Sequence, residues 1–321
     1  MYRWSTDQVD EQRRFDYWRE VRAKGLFGVT AELEPDRREH FFGEFSLQTI
    51  DKVGLIELRA SPYRVERSAC DIARAPSDSL CIYQQLGGGG WFGTGNDEDF
   101  TIQRGTFATS YSDLPYQTVP SSAHGFHLRI LKIPVAEIRP SRLGILDLDP
   151  KPVGDHQSIV PLLESCFADL AAADDNIDAA KAFLLVQALA HLTLIERGVI
   201  GLGNRMAMQA LRVGRLSTAR RLIARHVSEP NLSPGFVAGR LGVSVRHLHA
   251  LFETTDMSFS QTATAIRLEA SCRLLQRSPE QSITEVALAC GFDSLATFYR
   301  AFRAAYGMAP GEFRTQGGPE I

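Results

Sequence analysis

The sequence predicts an α+β protein: an N-terminal antiparallel β domain with packed helices, then a C-terminal domain that is all α. Three observations predict it. From Phe41 to Ile133, short runs alternate apolar and polar residues between Gly, Pro, Asp and Asn turns, the period of strands with one buried face. From Ser158 onward the apolar spacing is that of helices. The charge also changes sign. Residues 1–210 carry 22 Lys and Arg against 29 Asp and Glu, whereas residues 211–321 carry 13 basic residues, all Arg, against 9 acidic ones. A chain of 321 residues has room for two cores. The boundaries read as 1–197, a linker at 198–210, and 211–316.

Taken in order, RRFDYWREV at 13–21 sets Phe15, Trp18 and Val21 on one helical face. Strand-like runs follow at 45–50, 53–59, 63–67, 80–86, 90–93, 99–103, 106–111, 116–119 and 126–133. Turn signals separate them: Ala75-Pro-Ser-Asp, the glycines 87–90, Gly95-Asn-Asp and Asp113-Leu-Pro. Many short strands at this spacing make a sandwich or a barrel. Helical stretches at 158–171 and 179–196 flank Asp174-Asp175, a loop and cap. The second is apolar nearly all round, through Phe183, Leu184, Val186, Leu189, Leu192 and Leu194, so it packs on two sides or forms a partner interface. GVIGLG at 198–203 reads as a hinge or linker, and the stretch 316–321 as disordered.

The C-terminal part carries the sharpest pattern. Ser282 stands three residues before Glu285, a capping box, and Val286, Ala287 and Cys290 form a short apolar face. Gly291 supplies the positive φ of a tight turn. Asp293 or Ser294 then caps a helix with Phe298, Ala301, Phe302 and Ala305 on one face and Thr297, Tyr299, Arg300 and Arg303 off it; Gly307 and Pro310 end it. Helix, glycine turn, helix with outward Arg is the pattern of a helix-turn-helix, whose second helix enters a DNA major groove. Such hairpins occur in many all-α proteins, but here the pattern occurs twice. In 233–253, Ser233-Pro234 opens a helix, Gly242 turns, Ser244 caps, Leu248, Leu251 and Phe252 face inward, and Arg246, His249, Ala250 and Glu253 face outward. A helix over 259–276 joins the copies. At ~1.5 Å per residue it spans ~27 Å, which suits recognition helices in successive grooves ~34 Å apart. Arg273, Arg277 and Arg303 are placed for phosphate contact, and the basic balance supports it.

Other chemistry finds little support. The Gly87–Gly90 run lacks a following Lys-Ser/Thr and reads as a hairpin turn, not a phosphate loop. His124 and His127 lie three apart at a turn into a strand, where such residues face opposite ways, so no metal site is expected. No catalytic set or cofactor motif is present, and an enzyme is not expected. The five cysteines (Cys70, Cys81, Cys166, Cys272, Cys290) include no CxxC, which fits a reducing, cytoplasmic setting. No run of 18 apolar residues and no apolar N-terminal segment occur, so neither a membrane span nor a secretory signal is expected. The aromatics Tyr83, Trp91, Phe107, Tyr111 and Tyr116 can line a pocket for a small apolar or aromatic ligand or simply form a core; Arg129 or Arg67 can pair with a ligand carboxylate or face water.

The C-terminal hundred residues resemble the AraC/XylS family of bacterial transcription regulators, through LSPGFVAGRLGVSVRHLHALFE, AIRLEASCRLLQ and SITEVALACGFDSLATFYRAFRAAYGMAPGEFR. The resemblance places Arg246, His249 and Ala250 at base-facing positions of the first recognition helix, and Leu295, Ala296, Thr297 and Arg300 at those of the second. Ala250, Leu295 and Ala296 are apolar where members often carry polar contacts, and Asp256 replaces the glycine that usually ends the first recognition helix. The N-terminal part is similar to the cupin-like effector domain in regulators of aromatic and amine catabolism, through FDYWREV, FFGEFSLQTIDKVGLIEL, Val65-Glu-Arg, the Leu86-Gly-Gly turn, SDLPYQ and LRILKIP. This implies an effector pocket in the barrel and a homodimer through 158–197. The residues read for that pocket are Tyr83, Trp91, Tyr111 and Arg129, and the expected partners are double-stranded DNA, a small effector and RNA polymerase. The expected function is a transcription regulator, an activator responding to a small effector. The rivals are a DNA-binding regulator without an effector and a β-barrel enzyme with a helical appendage.

Overall fold

The computed structural model describes residues 2–21, 27–94, 99–120, 125–138, 145, 148–154, 158–173, 178–229, 232–253 and 255–316. The readings on Gly95-Asn-Asp, His124, Asp174-Asp175 and the tail beyond 316 lie outside them. The chain divides into two compact units, Met1–Val213 and Gly214–Ile321.

In the first unit the order is β1 (Tyr2–Ser5), α1 (Arg14–Trp18), β2 (Thr30–Glu32), β3 (Gly43–Ile50), β4 (Val53–Ala60), β5 (Arg64–Arg67), α2 (Ala69–Arg74), β6 (Ser79–Gly87), β7 (Gly90–Gly93), β8 (Phe100–Ile102), β9 (Phe107–Tyr111), β10 (Tyr116–Pro120), β11 (Phe126–Pro134) and β12 (Lys151–Val153). The strands form two antiparallel sheets, ordered β1-β3-β4-β11-β6-β9-β12 and β2-β5-β10-β7-β8. The expected closed barrel is therefore open: among the described residues no ladder joins the edge strands of one sheet to those of the other.

Strand alternation sorts the residues into two cores. On β6, Cys81 and Tyr83 face the second sheet, in a core with Ile56, Ile130, Val65 and Phe92. Leu80 and Ile82 face the opposite way and pack with Phe107, Leu131 and Ile133 against α3 (Val160–Ala171) and α4 (Ala179–Glu196). Because β6 is buried on both faces, its sequence reads as one apolar run rather than an alternation. Trp18 of α1 lies over Gly43 of β3, where an added Cβ would come within 2.6 Å of the indole. By length and composition α4 could cross a membrane, but it is mostly buried, as in the core helix of a folded domain.

Arg67, at the end of β5, is the polar hub of this unit. It is 2% exposed. Its Nε donates to Ser112 O at 2.6 Å, Nη1 to Phe27 O and Gly28 O at 3.0 and 2.7 Å, and Nη2 to Ala75 O and Asp113 Oδ1 at 3.0 and 2.8 Å. All five guanidinium N–H groups are thus engaged. Asp113 in turn accepts from the amides of Ser77 and Asp78. Burial alone would raise the Asp113 carboxyl, but those amides and Arg67 outweigh it and hold it below the usual range.

The segment 198–210, read as a linker, is helical from Arg205: α5 (Arg205–Arg225) begins there, and its Ala207 and Ala210 pack with the α3 and α4 core. The second unit continues with α6 (Pro234–Leu241), α7 (Val245–Phe252), α8 (Phe259–Arg277), α9 (Ile283–Ala289), α10 (Leu295–Tyr306) and α11 (Pro310–Gln316). It holds two small cores. One joins Ala219 and Ile223 of α5 to α6, α7 and the first turns of α8; the other joins the last turns of α8 to α9, α10 and α11. The long helix α8 therefore supplies residues to both, Phe259 and Ala263 to the first, Leu268, Cys272 and Leu275 to the second.

Candidate nucleic-acid interface and effector cavity

Local chemistry sets each helical hairpin. The Ser233 side chain accepts from Phe236 N at 3.2 Å and Pro234 takes the first helical position of α6. Gly242 turns the chain at φ +65°, and Ser244 caps α7 by accepting from His247 N at 3.1 Å. Leu248, Leu251 and Phe252 are buried against Val237 and Ala238. Arg246, His247, His249 and Ala250 are exposed. The departure at Asp256 has a local answer. Asp256 is not in the left-handed region; instead the Thr255 hydroxyl lies within 2.9 Å of both Phe252 O and Met257 O, one of which takes its proton, and it accepts from Met257 N. A side chain closes the turn where glycine geometry is missing.

The second hairpin repeats the plan. Glu285 N donates to Ser282 Oγ at 3.1 Å and Ser282 N to Glu285 Oε2 at 2.7 Å. The Ser282 amide, and then its hydroxyl, hold the Glu285 carboxyl below its usual range. Gly291 turns at φ +78°, and Ser294, not Asp293, caps α10. Phe298 and Phe302 are fully buried, and Leu295, Ala296, Thr297, Arg300 and Arg303 are exposed on α10. Two face readings change. Ala305 is exposed, with Tyr306 packed at 4.7 Å from Phe302 in its place, and Tyr299 is half-buried against Phe298. The helix is wound so that Tyr306, four residues after Phe302, continues the buried stripe. Thr297 Oγ1 accepts from the Ser294 hydroxyl at 2.9 Å, so part of its capacity is spent on the cap.

The arginines of α8 divide. Arg273 and Arg277 are exposed. Arg267 is half-buried; it donates to Val227 O at 3.3 Å and lies over the Phe292 ring at 6.0 Å. The same carbonyl approaches Gly291, whose missing Cβ would stand 2.2 Å from it. One main-chain oxygen after α5 thus meets both the long helix and the turn of the second hairpin.

In the first unit a cavity of about 70 Å³ lies between the two sheets. Its walls include Tyr63, Tyr83, Phe92, Tyr116 and Phe126, with Phe92 stacked on Tyr116 at 5.1 Å. Of the four residues expected to bind an effector, Tyr83 alone lines it. Its hydroxyl is 3.2 Å from Ser110 Oγ, and burial pushes its phenol well above the usual range. Trp91 is on the other face of β7, its ring folded over Gly93, and the neighbouring Phe92 takes the inward place. Tyr111 packs with the α3 and α4 core and its hydroxyl donates to Asp78 Oδ1 at 3.0 Å. Arg129 is on the outer face of β11, where Nε and Nη2 donate to Glu57 Oε2 at 3.0 and 2.6 Å and Nη1 to Gln84 at 3.2 Å. His127 Nε2 sits 2.8 Å from the other oxygen of Glu57. Burial would raise that carboxyl, but Arg129 and His127 together hold it low. Among the described residues no group of three His, Cys, Asp or Glu is placed to hold a metal ion.

Two family descriptions match the chain: "AraC-like ligand binding domain" over residues 66–190 and "Helix-turn-helix domain" over residues 237–316. The chain is 46% identical over 78 residues to the HTH-type transcriptional regulator GlxA of Rhizobium meliloti, 24% of each chain, so the match spans about a quarter of that relative. It is 22% identical over 296 residues to the transcriptional activator NphR of a Rhodococcus species, covering 91% of this chain and 86% of the other. The crystal structure of the AraC-like transcriptional activator CuxR matches with a TM-score of 0.53 at 18% identity, over 90% of this chain and all of that one, and shows the shared fold. A ligand-binding domain followed by paired helix-turn-helix units defines a DNA-binding transcription regulator. Over residues 66–190 and 237–316 the chain carries the two domains of AraC-like transcription regulators.

Proposed function

We propose that this chain is a cytoplasmic transcription activator, not an enzyme, that binds double-stranded DNA as a homodimer and works with RNA polymerase when a small effector occupies the first unit. The observation that carries the DNA half is the pair of capped hairpins, each with one buried and one exposed face. Residues 211–316 are assigned DNA binding. Arg246, His249 and Arg300 read bases, Ala250, Leu295 and Ala296 meet thymine methyls, Thr297 lies between them, and Arg303, Arg273 and Arg277 meet phosphates. Among the described residues no carboxylate pairs with Arg246, Arg300 or Arg303, which leaves their charge available. Similarity to NphR over most of the chain supports activation.

Selection of the purified protein from a randomised duplex pool tests the reading. Enrichment of a two-part element with parts about one helical turn apart supports it; an unenriched pool overturns it. Arg300→Ala is expected to weaken binding by about 1–3 kcal/mol and to relax base preference in one part. Unchanged discrimination there removes Arg300 from the readout.

Residues 1–197 are assigned effector binding and dimerisation. Phe183 and Leu184, 45% and 41% exposed on α4, support an interface within 158–197. Leu184→Glu is expected to raise the dimer dissociation constant at least tenfold in sedimentation equilibrium, without a change in melting of the monomer; an unaltered dimer moves the interface elsewhere.

A further inference from the structure

We infer that the effector is uncharged when bound: a single ring carrying one hydrogen-bond donor, of the chemistry of a phenol. The inference rests on the reading that the cavity between the sheets is the effector site.

Three observations carry it. The first is size. A cavity of about 70 Å³ is small beside the roughly 300–1,000 Å³ of pockets for drug-sized ligands, so it suits a ligand no larger than one ring with a small substituent. The second is charge. The described lining is aromatic, aliphatic and neutral polar, with no ionisable group other than the tyrosine phenols. The two arginines that could have met a carboxylate are committed. Arg67 spends all five N–H groups on Ser112, Phe27, Gly28, Ala75 and Asp113, and Arg129 is paired with Glu57 on the far face of its sheet. A carboxylate entering this space would lose its water and gain no counter-charge, which is strongly unfavourable. An ammonium would find rings but no carboxylate.

The third observation is a neutral polar group in the wall. Gln85, 5% exposed, donates from Nε2 to Gly87 O at 2.7 Å. That bond fixes the amide and leaves its oxygen as an acceptor within the cavity wall. A ligand O–H satisfies it; a hydrocarbon of the same shape does not.

The test uses the full-length protein at pH 7 with four probes, phenol, toluene, benzoate and phenyltrimethylammonium, read by saturation-transfer NMR and by the shift in melting temperature. Phenol is expected to bind saturably and at least tenfold more tightly than benzoate or the ammonium, and more tightly than toluene. Gln85→Met is expected to remove the preference for phenol over toluene. Leu128→Trp, which fills the cavity from β11, is expected to abolish phenol binding while the protein still melts cooperatively. Benzoate or the ammonium binding as tightly as phenol, and still lost in Leu128→Trp, overturns the neutral class but leaves the cavity as the effector site. Phenol binding that survives Leu128→Trp overturns both. Failure of all four probes overturns the ring-sized ligand.

Discussion

Replacing Arg67 by Ala is expected to destabilise the first unit by about 3–5 kcal/mol, the cost of breaking a buried ion pair from one side. The loss is large because the guanidinium does five jobs at once. It ties the carbonyls of Phe27, Gly28, Ala75 and Ser112 to one point and neutralises Asp113. Removing it takes the counter-charge from Asp113, which keeps only neutral donors, and strands four main-chain acceptors in a site that water reaches poorly. Against a usual stability of roughly 5–15 kcal/mol, this leaves the fold marginal. Arg67→Lys is expected to rescue little, since an ammonium cannot reproduce the planar fork. Thermal melting by circular dichroism checks both. The pH dependence gives a second signature. The folded-state value of Asp113 is depressed, so its contribution is present above the unfolded value near 4 and is lost as pH falls through the lower folded value. In Arg67→Ala one source of that depression is gone, and the acid limb of the stability curve is expected to be shallower. A variant that melts like the wild type, with the same acid limb, would show that the five bonds add nothing net.

Gly291→Ala is expected to cost about 2–4 kcal/mol in the second unit and to abolish binding to the part of the DNA element read by α10. Two effects add. A side chain at φ +78° is strained, and the new Cβ would meet Val227 O at 2.2 Å and Ser228 Cα at 3.1 Å. Both are main-chain atoms and cannot rotate away. Gly242 is the internal control: it has φ +65° but nothing within 4 Å of the position of a Cβ. Gly242→Ala is expected to cost only the left-handed strain, about 1–2 kcal/mol. Equal losses in the two variants, measured by melting and by gel shift, would mean that the approach to Val227 is immaterial.

The features legible in the sequence were those that local chemistry determines. Ser233, Ser244, Ser282 and Ser294 cap the helices, and Gly242, Gly291 and Gly307 take left-handed turns, because each choice depends on atoms within a few residues. The same logic was available at Ser68 and Asp71, a capping box that opens α2, but it is buried among strand signals. The cavity was less legible because a strand position does not declare which face is inward. Trp91 and Phe92 are adjacent aromatics; pairing of β7 with β10 and β8 turns Phe92 in and Trp91 out. Arg129 looked as available as Arg67, and only the positions of Glu57 and of the Asp113 turn separate an outer ion pair from an inner hub. Edge strands β1, β2 and β12, three or four residues long, are too short to carry a period. On α10 periodicity alone puts Ala305 on the core face, where the bulkier Tyr306 fills the space beside Phe313.

The long helix α8 is built into both hairpin cores, and Arg267 and Gly291 lock it to one carbonyl. The consequence concerns the tempo at which binding sites for such a protein can drift. Changing a base alters one contact. Inserting or deleting a base pair turns one half of the site by about a tenth of a helical revolution, since B-DNA repeats every 10–10.5 base pairs or so, and a reader that cannot twist to follow loses that half altogether. The expectation is that the sites bound by this protein vary in letters while the spacing of their two parts is held fixed.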